Sequence, residues 1–293
     1  MLKLPSFAKI NWSLRILGKR PDGYHQVATV LQSISLCDEI VFELREDAQI
    51  VLTCDDPAIP ADDSNLIVKA ARALSKTRGA EIKLLKKIPA KGGLGGGSSN
   101  AAVTLVALNA LWRLGLGDTD LRQIGSGLGA DVPFFLSGGT TLAKGIGTEV
   151  EEVRDFAKQY LLIVTPNASV STAKAYEALN ARSLTTTDSL SILSSSFTEP
   201  FSGDSSQWPL HNDFEGVIFD LEPEIRRAKL ALLEAGARNA LLAGSGSSVF
   251  GIFTDEAARD QALRILRCET GWRVFACHTL SRGEYCKAIS TGA

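Results

Sequence analysis

The residues best suited to chemistry lie in the run Pro89-Ala90-Lys91-Gly92-Gly93-Leu94-Gly95-Gly96-Gly97-Ser98-Ser99-Asn100. Five glycines within six positions let another group come close to the backbone, because no Cβ intervenes and φ > 0 is open. Gly96 is expected at such a φ, so a valine there would block the approach. The chemistry this suits is anion binding, and the default anion is phosphate. Residues 82–88, before the loop, read as a strand; residues 100–112, after it, read as a buried helix. The first amides of a helix lack intrahelical partners, and the macrodipole makes that end partly positive. Strand, glycine loop and helix start therefore form an anion cradle, with Ser98 and Ser99 adding hydroxyls. A surface turn is the bland alternative, and the apolar helix directly after the loop speaks against it. No Gly-Lys-Ser/Thr closes the loop as in a Walker A motif, and the glycines are too dense for a dinucleotide fingerprint.

Other residues could act on a ligand held there. Lys9 and Asn11 lie two apart in the apolar segment 3–17, so on a strand they share a face. A solvated face is the alternative. Pro21-Asp22-Gly23 is a turn, since Pro fixes φ and Gly takes the left-handed position. Tyr24 and His25 follow it directly; an aromatic face and a directional imidazole can hold a planar base, although such residues are more often ordinary packing groups. Asp131 stands in the apolar run Gly129-Ala130-Asp131-Val132-Pro133-Phe134, where a helix N-cap is the alternative to a reactive carboxylate. Gly244-Ser245-Gly246 is a second glycine turn, between two apolar runs, and a plain hairpin is its alternative.

The elements that must position these residues follow from length and pattern. The chain has 293 residues, 45% of them hydrophobic, enough for two modest cores or one large one. The net charge of −2 carries no basic bias, so nucleic acid and acidic membranes are not expected partners. No apolar run approaches the ~20 residues that span a bilayer, and the N-terminus lacks a signal-peptide pattern. Five cysteines, an odd number without metal-ligand spacing, read as reduced thiols in a cytoplasmic protein. Strands are expected over 27–36, 39–45 and 48–54, a helix over 64–78 ended by Gly79, and a helix over 118–126. A returning strand is expected near 138–143. Charge density rises near 150–158, which suggests a boundary between domains 1–155 and 156–293. The second half reads as a strand (160–165), helices (171–181, 212–220, 223–235), strands (239–243, 248–253), a helix (255–268) and a strand (272–279). Six of these fit a ferredoxin-like β-α-β-β-α-β unit. Residues 183–206, with nine Ser and four Thr, read as a flexible insert beside the substrate cleft.

The glycine loop resembles the ATP-binding motif of the GHMP kinases, in the form Pro-x-x-x-Gly-Leu-Gly-Gly-Gly-Ser-Ser-x-Ala-Ala. Gly18-Lys19-Arg20-Pro21-Asp22-Gly23-Tyr24-His25 is similar to the signature of one branch. That branch phosphorylates a cytidine-diphosphate-linked methylerythritol in non-mevalonate isoprenoid precursor biosynthesis. The resemblance runs through five motifs in family order, including the Asp131 run and the second glycine turn. It implies an α+β fold of two domains, the first ribosomal-protein-S5-domain-2-like and the second ferredoxin-like. It implies ATP as phosphoryl donor, bound by Pro89, Gly92, Gly93, Leu94, Gly95, Gly96, Gly97, Ser98, Ser99 and Asn100. It implies Asp131 as general base and Lys9 beside it, stabilising the developing alkoxide. Asn11 would hold the acceptor hydroxyl or diphosphate, Tyr24 would stack on cytosine and His25 would read its edge. Tyr176, near a helix start with Thr172, would close on the far side of the base. Gly244, Ser245 and Gly246 would support the phosphate loop. Mg²⁺ should arrive with ATP; Ser99 is a candidate ligand, and with no paired carboxylate in view no protein metal site is assigned. Lys91 and Asn100 depart from the family pattern, Asn100 standing where many relatives have Asp. The acceptor would be a small molecule and the protein a monomer or homodimer. Other kinases of the family, of homoserine or mevalonate type, and a non-catalytic nucleotide-binding module are the alternatives.

Overall fold

The computed structural model describes residues 1–180 and 210–291. The N-terminal apolar segment forms one strand, β1 (Leu2–Lys19), paired antiparallel with β2 (His25–Arg45) across the 20–24 turn. β3 (Ile50–Cys54), β4 (Gly79–Leu85), β5 (Thr140–Lys144) and β6 (Glu149–Glu152) extend this sheet in the order β3-β4-β2-β1, with β5 on β2 and β6 on β5. β7 (Tyr160–Pro166) opens a second sheet. β8 (His211–Asn212) returns to the first, parallel to Ser13 and Leu14 of β1. β9 (Asn239–Leu242), β10 (Val249–Phe253) and β11 (Trp272–His278) complete the second sheet in the order β11-β7-β10-β9. That order, with a helix before β9 (Pro223–Glu234) and one before β11 (Glu256–Leu266), is the expected ferredoxin-like unit.

Helices α1 (Leu66–Leu74), α2 (Gly96–Leu111), α3 (Asp118–Leu128) and α4 (Val132–Ser137) serve the first sheet. α5 (Thr172–Asn180), α6 (Glu215–Leu221), α7 (Pro223–Glu234) and α8 (Glu256–Leu266) serve the second. α9 (Arg282–Ile289) crosses back to β1. Its Tyr285 is fully buried, donates its hydroxyl to Phe135 O at 2.6 Å, and occupies the space a Gly138 side chain would need. Among the described residues, no helix is long and apolar enough to cross a membrane.

The core does not divide at the expected boundary. Ile10 and Trp12 of β1 pack in one cluster with Leu161, Ile163 and Phe250 of the second sheet. Each such side chain contributes about 1.5–3 kcal/mol on burial, so the two sheets stabilise each other. Trp12 is wholly buried, edge-on to Phe250 at 5.7 Å.

Three boundaries differ from the sequence pattern, each for a local reason. The expected break at 37–38 is absent, because Asp38 is held inside β2 by donors from the phosphate loop's entry. The helix expected over 64–78 is shorter: Asn65 caps it through Ile67 N, and Gly79 pairs with Arg45 in the sheet. The helix expected from 100 begins at Gly96, so the last two glycines of the run belong to α2.

Candidate active site

The glycine run leaves β4, turns at Lys91, Gly93 and Gly95, and enters α2. Gly95 occupies the N-cap position with φ 72°, and no side chain caps the helix. A Cβ on Gly95 would stand 2.7 Å from the Phe135 ring and 3.0 Å from Lys9 Cγ, so glycine is required for packing as well as for φ. Gly93, at φ 75°, lies against Ala243 O of the second glycine turn, where a Cβ would come within 1.9 Å. Gly96 is not at positive φ. A side chain there would instead meet Ile88 and Lys86 Nζ, at 3.1 and 3.2 Å.

This loop is the wall between two clefts. Gly93, Gly95 and Ser98 line both. The first cleft is completed by Ile59, Asn65, Leu66, Lys86, Pro89 and Asn100, together with Gly92, Leu94, Gly96 and Gly97. Ser99 lines neither. Its side chain is buried and accepts a hydrogen bond from Ser6 Oγ at 2.7 Å, so its hydroxyl faces β1 rather than a phosphate or a metal ion. Asn100 donates to Asp38 Oδ2 at 3.2 Å. An aspartate in its place would set two carboxylates against each other in this chain.

Asp38 is the anchor beneath the first cleft. It has no exposed surface and accepts from Lys86 Nζ at 2.7 Å, Lys87 N at 2.8 Å and Ile88 N at 2.7 Å. Burial pushes its carboxyl above the ordinary carboxylate value, while Lys86 and the backbone donors pull it back. Lys86 also donates to Ile88 O.

In the second cleft, Lys9 is buried and donates to Asn11 Oδ1 at 2.9 Å, with Asp131 Oδ2 at 3.7 Å. Asp131 sits at the N-cap position of α4, but its side chain makes no capping bond and is 37% exposed. The orientation of Asn11 is fixed from behind. Thr29 Oγ1 donates to Ser13 O at 2.7 Å, so it accepts from Asn11 Nδ2 at 2.7 Å and leaves Oδ1 for Lys9. Asn11 thus holds Lys9 through Oδ1 and is itself held by Thr29, and it lines the second cleft with one N–H and one lone pair left over.

Tyr24, 63% exposed, stands at the mouth of this cleft. Tyr176 and Thr172 line it too, and Thr172 Oγ1 meets Ser245 Oγ at 3.1 Å. His25 stacks on Tyr176, with ring centroids 4.5 Å apart and planes 21° apart. Tyr176 meets Phe214 edge-on at 4.9 Å. Burial, reinforced by the charge of Asp131, pushes the Tyr176 hydroxyl up to about 12. Gly244 and Ser245 line the same cleft, and Gly246 N closes the turn onto Ala243 O at 2.9 Å. Ser247 N and Ser248 N donate to Lys91 O and Gly92 O, so the two glycine segments are in direct contact.

Thr29, Asp38, Lys86 and Phe214 were not singled out from sequence. Asp38 offered a signal: an acid at the junction of two apolar strands. The others carried none beyond their type. The insert at 183–206 lies outside the described residues. Among the described residues, no group of three or more His, Cys, Asp or Glu is arranged to hold a metal ion.

The two clefts meet across the glycine loop, so ligands held in them would adjoin there. Residues 65–139 match the family described as GHMP kinases N terminal domain, and residues 202–271 match GHMP kinases C terminal. The 4-diphosphocytidyl-2-C-methyl-D-erythritol kinase of Geobacter sp. (strain M21) is 41% identical over 283 residues, covering 95% of this chain and 99% of that protein. The enzyme of the same name from Syntrophus aciditrophicus (strain SB) is 40% identical over 284 residues, covering 96% and 100%. A crystal structure of 4-(cytidine 5'-diphospho)-2C-methyl-D-erythritol kinase superposes with a TM-score of 0.75 at 30% identity, covering 95% of this chain and 99% of that one. The chain belongs to the GHMP kinases, and among them to the family of the 4-diphosphocytidyl-2-C-methyl-D-erythritol kinases.

Proposed function

We propose that this protein transfers the γ-phosphoryl group of ATP to the 2-hydroxyl of 4-(cytidine 5'-diphospho)-2-C-methyl-D-erythritol, a step of non-mevalonate isoprenoid precursor biosynthesis. The observation that carries the reading is the Lys9–Asp131 pair beside the loop residues shared by two clefts. Phosphoryl transfer needs little covalent chemistry from the protein; it needs alignment and charge stabilisation. ATP occupies the first cleft, with its phosphates on the uncapped start of α2. When bound with the nucleotide, Mg²⁺ would supply charge neutralisation at its phosphates; among the described residues no group of three or more His, Cys, Asp or Glu is arranged to hold it. The acceptor occupies the second cleft. Asp131 takes the proton of its hydroxyl, the oxygen bonds to the γ-phosphorus, the bond to the β,γ-bridging oxygen breaks, and ADP leaves. Lys9 stabilises charge on the attacking oxygen. Cytosine lies among Tyr24, His25 and Tyr176, the aromatic end of the cleft. Because His25 already covers one face of Tyr176, base binding on that face requires the imidazole to move. The reading includes a cytoplasmic enzyme acting as a monomer or homodimer.

The test is ADP release with the cytidine substrate against mevalonate, homoserine and galactose. Turnover is expected with the first alone, and comparable turnover with any other overturns the reading. Tyr24→Ala should raise KM for the cytidine substrate by roughly 5- to 150-fold, the equivalent of a ~1–3 kcal/mol base stack. Tyr24→Phe should change it far less, and KM for ATP should hold in both. An unchanged acceptor KM in Tyr24→Ala, or an equal effect on ATP, removes Tyr24 from the base site.

A further inference from the structure

The segment 211–215 joins three parts of the second cleft that lie far apart in the chain: β1, Tyr176 and the second glycine turn. Asn212 is 4% exposed and uses three of its four hydrogen-bonding positions. Its Nδ2 donates to Leu242 O at 2.9 Å and to Gly244 O at 2.7 Å, and its Oδ1 accepts from Phe214 N at 3.0 Å. Its neighbours fix it to the first sheet. Asp213 N donates to Leu14 O at 3.0 Å, and Asp213 Oδ2 accepts from Ile16 N at 2.6 Å. His211 faces Asp213 Oδ1 at 2.6 Å. Glu215 accepts from Leu242 N at 2.9 Å.

We infer that Asn212 is a positioning residue for phosphoryl transfer, holding the second glycine turn against Lys9 and the phosphate loop while setting Phe214 behind Tyr176. Resting on the proposed function for what is transferred, the inference goes beyond it in naming what sets the geometry. A Cβ on Gly244 would lie 2.9 Å from Gly93 O and 3.3 Å from Lys9 Nζ, so the turn is wedged between both. A shift of the turn of about 1 Å displaces the cation and the loop together, and a misplacement of that size can lower a rate about 100-fold. Only an amide meets the requirement at this length. Two donors are needed for two carbonyls and one acceptor for an N–H, whereas a carboxylate would face both carbonyls with lone pairs.

The test uses the full chain with Asn212→Ala and the isosteric Asn212→Asp. Both should melt cooperatively and lose less ATP affinity than kcat, because the turn meets the first cleft only at Lys91, Gly92 and Gly93, while Ile59, Asn65, Leu66 and Lys86 lie outside its reach. In both, kcat with the cytidine substrate should fall at least ten-fold. A protonated aspartate can donate one hydrogen bond, so the Asn212→Asp to wild-type kcat ratio should rise several-fold as pH is lowered from 8 to 6. The charged groups around position 212 are Lys9 and Arg15 on β1, His211 and Asp213 on its own segment, Glu215 on α6 and Lys229 on α7. Hydrogen exchange of the amides of 243–248 supplies a readout without acceptor: it should quicken in Asn212→Ala. The inference is overturned by a kcat within two-fold of wild type, by a flat pH ratio, by a loss of ATP affinity as large as the loss of kcat, by unchanged exchange over 243–248, or by failure of both variants to fold, which would make the bonds purely structural. If wild type itself does not turn over the cytidine substrate while exchange quickens as expected, the proposed function fails and the placement of the turn by Asn212 stands.

Discussion

Two lysine–aspartate pairs border the two clefts, and they are built to opposite ends. Lys86 and Asp38 are 2.7 Å apart, with the carboxylate wholly buried and met by four donors. Lys9 and Asp131 are 3.7 Å apart, and the carboxylate is 37% exposed. Among the described residues, Lys9 is the ion-pair partner Asp131 has, and no helix cap uses its oxygens. A saturated carboxylate can only hold structure, because every lone pair is spoken for. An unsaturated one beside a buried cation has room for a substrate proton. The same two residue types thus serve as a buried fastening and, on the proposed reading, as a reactive group beside the acceptor.

The largest expected effect is on the open pair. Asp131→Asn should lower kcat by roughly 10²–10⁴, the usual contribution of a positioned base. ATP affinity should stay within a few-fold and the thermal midpoint should hardly move, since a part-exposed pair contributes about 0–1 kcal/mol. A variant keeping more than about a tenth of wild-type kcat would erase the contrast. Next comes the sealed pair. In Asp38→Asn the new amide nitrogen faces two donors, Lys86 and Asn100, and leaves the ammonium unpaired. Urea denaturation should show a loss of about 3–5 kcal/mol, the usual result of removing one partner from a buried pair. A loss below about 1 kcal/mol would mean that Asp38 is no fastening.

Thr29→Val sharpens the comparison from behind Lys9. It strips the acceptor from Asn11 and the donor from Ser13 O. Unfolding free energy should drop by about 1–3 kcal/mol, and kcat should fall while ATP affinity holds. An unaltered kcat would show that Lys9 needs no orientation through Asn11. The smallest effect is on pH dependence. The Asp38 carboxyl is raised in the folded state, so the folded protein binds that proton more readily than the unfolded chain. Its contribution is fully present below the ordinary 3.8 and is lost as pH rises through the folded value. The stability gap between wild type and Asp38→Asn should therefore widen as pH falls from neutral; a constant gap would mean that burial does not raise this carboxyl.

The parts of the site legible in sequence were those written in contiguous pattern. The glycine run fixed an anion cradle, and the two-residue spacing of Lys9 and Asn11 put both on one strand face. The ferredoxin-like unit followed from the order of apolar runs. The illegible parts are pairings across long stretches of chain. Asp38 and Lys86 are 48 residues apart, and Ile16 and Asp213 are 197 apart. Periodicity reports that a side chain is buried, not what it meets. Asp38 read as a break between strands because its partners lay elsewhere. Ser99 read as a phosphate contact because adjacent residues on a helix differ in direction by a rotation the motif alone does not display. Gly96 read as a conformational glycine, whereas the space beside Lys86 is what excludes a side chain there.

The seat of α9 gives the molecule an order in time. Asp131 stands at the head of α4, and Tyr285 of α9 holds that helix through Phe135, 150 residues earlier in the chain. Arg282 of the same helix donates to Thr140 O at 2.6 Å. On a ribosome adding about 5–20 residues per second, the glycine loop and α4 are complete roughly 8–30 s before their clamp is made. On the proposed reading, the growing chain holds both glycine segments before the helix that carries the base is clamped. A chain ended before Arg282 should bind ATP and fail to phosphorylate; equal turnover by such a chain would refute this. On the proposed reading, transfer competence then follows the nucleotide cradle and waits for α9.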